Sequence, residues 1–277
     1  MLTFERVTKR FGGLVAVEEV SLVCPAGGIT SIIGPNGAGK STLVNLAAGS
    51  YRVSSGRVLL DGAELQNLPK HRIARAGLAR TYQNLRLYDG MTLLENLEVS
   101  LLPSGVDGML QEAFSWGTSI TVRRRRERCR HVLQRFGLAE LAQQPAGTLA
   151  YGMQKRLELA RAVVAEPRAV LLDEPAAGLN QAETAELRDH LNALRAPDRA
   201  VVVIEHDMRL VMAISDRIAV LHRGRLLFEG RPAEVRADPE VQEAYLGSPD
   251  AHDVLAAAAR TRRGALRLRP DAGVAWH

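Results

Sequence analysis

Cysteine is scarce in this chain of 277 residues: only Cys24 and Cys129, far apart and without CxxC spacing. That excludes a disulfide framework and fits unpaired thiols in a reducing compartment. Long apolar runs are missing as well. VVVI at 201–204 and VLAAAA at 254–259 fall far short of the roughly 20 residues that cross a bilayer. The opening MLTFERVTKRF carries charge early and has no apolar h-region, so no secretory signal is read there. No internal repeat is visible. The expected setting is the cytoplasm.

What is present is ordinary for a soluble globular chain: 46% hydrophobic and 24% charged residues, enough length for one large domain or two lobes. The net charge of +5 is unevenly placed. Between Ile120 and Arg135 stand seven arginines, at 123–126, 128, 130 and 135, against the single acid Glu127. Such a run reads as a solvated helix face or as a contact for anionic lipid headgroups. No aromatic side chain interleaves with it, so stacking on nucleic-acid bases is not supported, and no nucleic-acid partner is expected.

Strand patterns open the chain: LTFERV, VAVEEVSLVC and the β-branched GITSIIG. A helix LVNLAAG stopped by Gly49 follows, and Asp61-Gly62 between apolar runs predicts a hairpin. Residues 70–78 read as helical. From about Met91 to Ala165 the pattern is helical, with Leu157, Ala160 and Val164 on one face of the last segment. A β/α alternation then resumes: AVLLD, a helix at 181–195, AVVVIE, a helix at 207–214, RIAVLH and GRLLFEG. This predicts an α/β fold, a mainly parallel sheet with an N-terminal antiparallel β subdomain and an inserted helical lobe. The core lobe is placed at about 1–88 and 166–247, the helical lobe at about 89–165, and a frayed tail at 248–277.

Between a predicted strand and a predicted helix, residues 34–42 read GPNGAGKST and match GxxxxGK[ST] completely. Glycines let consecutive backbone N–H groups turn inward, and the helix start adds positive potential. Asn36, Gly37, Ala38, Gly39, Lys40, Ser41 and Thr42 are the expected phosphate cradle. Lys40 reaches the β- and γ-phosphates and Ser41 ligates Mg²⁺. AVLLDE at 169–174 ends a buried strand with two carboxylates, at the end where open α/β sheets bind ligands. Asp173 is read as the second metal residue. Glu174 is read as the general base that polarises a water. Nucleotide hydrolysis, a P-loop NTPase chemistry, is the leading reading.

Further elements fall in an order that resembles the ATP-binding cassette (ABC) ATPases, over about residues 2–247. Gln83 in RTYQN matches the Q-loop glutamine, a catalytic and metal-sensing residue. LAYGM at 149–153 lies where the family has its LSGGQ signature, AAGLN at 176–180 matches the D-loop, His206 after VVVIE the switch histidine, and Phe11 the aromatic residue that stacks on adenine. The resemblance implies that Ala150, Tyr151 and Gly152 close a partner's ATP site. The stretches RTYQNLRLYDGMTLLENLEV and IEHDMRLVMAISDRIAVL are similar to the LivG-like branch, which energises bacterial uptake of branched-chain amino acids. That implies ATP and Mg²⁺ as cofactors and a second cassette, in a homodimer or a heterodimer, with a heterodimer of related cassettes favoured. It also implies two membrane permease subunits fed by a binding protein, and a place on the cytoplasmic face of the membrane. The helical lobe and the Gln83 loop would be the docking surface.

Three residues depart from the family pattern. Ala150 stands where a serine hydroxyl usually donates to phosphate, Met153 where a glutamine or another polar residue is usual, and Asn180 where the D-loop has aspartate. A lost hydrogen bond to a charged group costs about 1.5–3 kcal/mol, but Gly152 and the helix start are retained. The site is therefore expected to be competent but tuned. Other readings are a cassette serving urea or lipopolysaccharide transport, or a soluble ABC protein acting on nucleic acid or ribosomes. The latter usually carry two cassettes or long coiled-coil insertions, and this sequence has neither. A P-loop small-molecule kinase leaves the signature, D-loop and His206 unexplained.

Overall fold

The computed structural model describes residues 1–81, 85–102 and 119–246. Gln83, expected as a Q-loop glutamine, and the tail therefore lie outside the described residues.

Two sheets organise the described chain. Strands β1 (Leu2–Phe11) and β2 (Leu14–Cys24) form a long irregular antiparallel pair. Strands β4 (Ser55–Leu60) and β5 (Ala63–Glu64) extend it to the order β2-β1-β4-β5. The expected hairpin is there: Asp61 (φ 49°) and Gly62 (φ 84°) make the turn, and both central residues have the positive φ that such a two-residue connection needs.

The second sheet holds β3 (Ile29–Ile33), β6 (Leu78–Arg80), β7 (Ala169–Asp173), β8 (Ala200–Ile204), β9 (Arg217–His222) and β10 (Arg225–Gly230). Its order is β10-β9-β3-β8-β7-β6, parallel except for β10, which pairs antiparallel with β9. Strands β3, β7 and β8 are buried at every position because both faces are covered. The pleat sorts their side chains. Leu171, Val202 and Ile204 pack toward the antiparallel sheet and α1 (Lys40–Ala47), while Val170, Leu172, Val201 and Val203 join the helices on the other face.

Those helices are α3 (Leu93–Ser100), α4 (Ser119–Arg135), α5 (Tyr151–Val163) and α6 (Gln181–Ala193). Leu157, Ala160 and Val164 are fully buried, as their spacing predicts. A third, smaller core joins β9, α7 (Met208–Ile214), α8 (Pro232–Ala237) and α9 (Pro239–Leu246). The helix expected over 70–78 is shorter: α2 spans Lys70–Arg75, Gly77 adopts φ 99°, and the chain enters β6. That left-handed residue ends the helix before its expected limit.

The arginine run is α4, and part of it is tied into the fold. Arg126 donates to Glu98 of α3 at 2.9 Å, and Arg128 donates to the Val164 carbonyl at 2.6 Å. Both cysteines are buried and unpaired, and burial pushes the Cys24 thiol up to about 12 and that of Cys129 to about 11. Burial thus disfavours the reactive thiolate at both positions.

Candidate nucleotide site

Three neighbouring parallel strands deliver the candidate residues to one edge of the sheet. The C-terminal end of β3 runs into the glycine-rich loop, β7 ends in Asp173-Glu174, and β8 ends before Glu205-His206. Registers Ile32↔Ile204 and Asp173↔Ile204 place all three ends level.

The loop requires its glycines for contact as well as conformation. A Cβ on Gly34 (φ 151°) would lie 2.1 Å from the Leu221 carbonyl oxygen, and one on Gly39 (φ 99°) 2.6 Å from that of Ala16. The loop is thus clamped between β9 and β2, with its backbone leading into the N-terminus of α1. Lys40 Nζ donates to the Gly34 and Pro35 carbonyls, at 2.6 and 3.0 Å, and so lies over the loop it belongs to. Asn36, Gly37 and Ser41 are exposed, Gly39, Lys40 and Thr42 are half-buried, and Ala38 is buried. This arrangement of backbone donors, lysine and helix start suits a polyphosphate.

Asp173 is nearly buried and its Oδ2 accepts a 3.0 Å hydrogen bond from Arg80 at the end of β6. Arg80 Nη1 also donates to Asn45 at 2.7 Å, and Asn45 in turn donates to the Ser41 carbonyl at 2.7 Å. A continuous polar chain thus joins the two predicted metal residues, Ser41 and Asp173. A hydroxyl and one carboxylate suit Mg²⁺, which keeps waters and phosphate oxygens for its remaining positions. Among the described residues there is no cluster of three or more His, Cys, Asp or Glu that could form a cage of its own.

Glu174 takes a left-handed backbone conformation, φ 48°, and its N–H is pinned to the Ile204 carbonyl at 2.9 Å. A non-glycine residue there is uncommon and carries strain. The turn takes the chain at Glu174 out of the extended path of β7. His206 has an imidazole about half exposed, and its Nδ1 lies 3.8 Å from Glu205 Oε2. Glu205 is fully buried, and burial raises its carboxyl above the usual carboxylate range.

Ala150, Tyr151 and Gly152 face a different neighbourhood. Tyr151 donates to the Ala177 carbonyl at 3.3 Å, and its ring lies against Gly178, whose φ is 81°. Gly152 faces Glu183, at the start of α6. Ala150 is the N-cap of α5 and gives it no side-chain hydrogen bond, so backbone N–H groups form the tip. Asn180 has a clear local role: it caps α6 by accepting from Glu183 N, while Glu183 accepts from Asn180 N. Asparagine caps helices about as well as aspartate, so this departure leaves the capping intact. Phe11, 40% exposed, meets Tyr51 edge-on at 5.2 Å, and Lys9 Nζ lies 4.7 Å from its ring centre.

Sequence reasoning missed Arg80, Asn45, Glu205 and Tyr51. Two of them carried a signal: Arg80 and Glu205 are charged residues at the ends of apolar strand patterns, where a parallel sheet keeps its ligand edge.

A mainly parallel sheet with this loop, strand-end carboxylates and a trailing histidine defines a P-loop nucleotide-binding ATPase. The family model "ABC transporter" matches residues 17–177, and the chain belongs to that family of ATP-binding, ATP-hydrolysing transport subunits. A second model, "Branched-chain amino acid ATP-binding cassette transporter", matches residues 225–251. The chain is 45% identical over 249 residues to the high-affinity branched-chain amino acid transport ATP-binding protein BraF of Pseudomonas aeruginosa, covering 89% of this chain and 98% of that one. It is 44% identical over 253 residues to LivG of Escherichia coli, with the same coverage. Among solved structures, it is similar to the ADP conformation of an ATP-binding cassette of an ABC transporter, with TM-score 0.77 and 30% identity over 90% of this chain and 99% of that one. A nucleotide-free ATP-binding cassette from an ABC transporter superposes with TM-score 0.76 at 29% identity, covering 90% and 99%.

Proposed function

We propose that this chain binds and hydrolyses ATP to power uptake of branched-chain amino acids through a membrane transporter. The observation that carries the reading is the level placement of the phosphate loop, Asp173-Glu174 and His206 on three adjacent strand ends, joined to the 44–45% identity with BraF and LivG. Lys40 and the backbone N–H groups of residues 36–42 hold the phosphates and offset their charge. Ser41 and Asp173 would hold Mg²⁺, Gln83 is assigned to the same ion from the family resemblance alone, and the ion would neutralise phosphate charge when bound. Glu174 accepts the proton of the attacking water, and His206 hydrogen-bonds the terminal phosphate. Phe11 flanks the base.

The tip of α5 is assigned to the neighbouring cassette's ATP, which a head-to-tail dimer would bring to Ala150, Tyr151 and Gly152. A helix N-terminus aimed at phosphate needs only its backbone donors, and Ala150 leaves those uncovered. Restoring a hydroxyl with Ala150→Ser is expected to leave steady-state turnover level or raise it modestly. A collapse in that assay places the signature elsewhere.

No helix among the described residues is long and apolar enough to cross a membrane, so contact with permease subunits is assigned to the surface. A cleft of about 840 Å³ separates α2 and β6 from α3 and α5; Ile73, Ala76, Ser100, Leu102 and Arg161 line it. Arg80 and Thr81 also form part of its wall. We assign permease docking to this cleft, between a core lobe at about 1–88 and 166–247 and a helical lobe at about 89–165. Co-purification from detergent-solubilised membranes tests it. The chain should bring down two permease subunits and a second cassette, and Ala76→Arg should release the permeases while ATP binding persists. Nucleic-acid-stimulated ATPase activity without permeases would support the soluble alternative.

A further inference from the structure

Glu205 is a buried carboxylate at the end of a fully apolar strand, a position that costs free energy unless hydrogen bonds compensate. Three backbone donors from two separate loops do so. Oε1 accepts from Ala176 N at 2.8 Å, and Oε2 accepts from His206 N at 3.0 Å and from Asp207 N at 3.4 Å. Ala176 opens the D-loop, two residues beyond Glu174. Asp207 then caps α7, accepting from Arg209 N at 2.8 Å and Leu210 N at 3.3 Å.

We propose that Glu205 is a positioning residue that fixes the D-loop and the switch loop in one register, so that Glu174 and His206 are set together. This rests on the catalytic reading of Glu174 and His206. Glu174 is held at its own N–H by Ile204, and the chain two residues later by Glu205. The same carboxylate anchors the backbone of His206 and lies 3.8 Å behind its Nδ1. Loss of the carboxylate therefore loosens both residues at once. The phosphate loop hangs on β3 and α1 and has no share in this anchorage, so nucleotide binding is left alone. A glutamine fills the same volume but has a single acceptor oxygen. It can serve one loop, and its N–H₂ then meets the other loop donor to donor.

The test compares Glu205→Gln, Glu205→Asp, His206→Ala and the double variant Glu205→Gln/His206→Ala in the assembled transporter. Turnover, fluorescent-ATP affinity and thermal melting are measured for each. Glu205→Gln should lower kcat by roughly tenfold or more with ATP Kd within about twofold of wild type. In the double variant the loss should be clearly smaller than the product of the two single losses, because both act through His206. Should the Gln variant not fold, the Asp variant, which keeps the charge on a shorter arm, must show the same kcat-only loss. Unchanged kcat, a parallel loss of ATP affinity or, where His206→Ala itself lowers turnover, fully multiplicative losses would overturn the proposal. If His206→Ala alone leaves turnover intact, the reading of His206 fails, and the kcat-only loss in Glu205→Gln then decides the proposal through Glu174.

Discussion

Glu174→Gln is expected to lower ATP turnover by about 10²–10⁴-fold, the usual contribution of a positioned general base, while ATP affinity stays near wild type. The substitution keeps the volume and the left-handed backbone at φ 48°, so the N–H bond to Ile204 persists. Only the proton acceptor is lost. Asp173 and Lys40, assigned to metal and phosphate, are untouched. Nucleotide should therefore still bind, and the dimer should be trapped in its ATP-loaded form. Steady-state turnover in the assembled transporter, read beside equilibrium ATP binding, checks both halves. Unchanged turnover would remove Glu174 from the chemistry.

The second large effect is on stability. Arg80→Met should cost roughly 3–5 kcal/mol, because it leaves the Asp173 carboxylate buried without its cation. The side chains of the pair are only 7% and 11% exposed, so solvent screens little of the loss. For a chain of this size each kcal/mol moves Tm by about 2–4 °C, which gives a drop on the order of 10 °C. Arg80→Lys should recover little, since one ammonium cannot reproduce the fork that meets both Asp173 and Asn45. Adding Asp173→Asn to Arg80→Met should restore part of the loss, because no lone charge then remains. Differential scanning calorimetry of the three variants checks the pattern. A Tm within 2 °C of wild type for Arg80→Met would contradict the buried pair.

How much of this was legible in the sequence follows from the range of the forces involved. The phosphate loop and the strand-end carboxylates are local patterns, because glycines at fixed offsets and an apolar run ending in Asp-Glu are each written in adjacent residues. The loop lies between β3 and α1, and Asp173 lies level with Ile204 at the strand ends. The layers were legible too, since β7 and β8 are continuous apolar runs, as strands covered on both faces must be, and Leu157, Ala160 and Val164 follow the helical period. What escaped was non-local. Arg80 meets a carboxylate 93 residues away, and Glu205 meets an N–H 29 residues away. No window of sequence shows either partner. Asn180 looked like a departure from a motif, and the structure shows a helix cap that either Asn or Asp can supply. The helix read over 70–78 stops at Arg75 because Gly77 takes a left-handed backbone, φ 99°, a conformation that a stretch of helical-looking letters does not reveal.

The most direct measurement is leucine uptake into proteoliposomes holding this chain, its partner cassette and the permease pair, with the binding protein supplied outside and ATP enclosed. The account predicts accumulation of labelled leucine that requires ATP, is competed by isoleucine and valine, and disappears with Glu174→Gln. Uptake that persists with Glu174→Gln, or ATP hydrolysis by the complete assembly with no branched-chain amino acid movement, would contradict it.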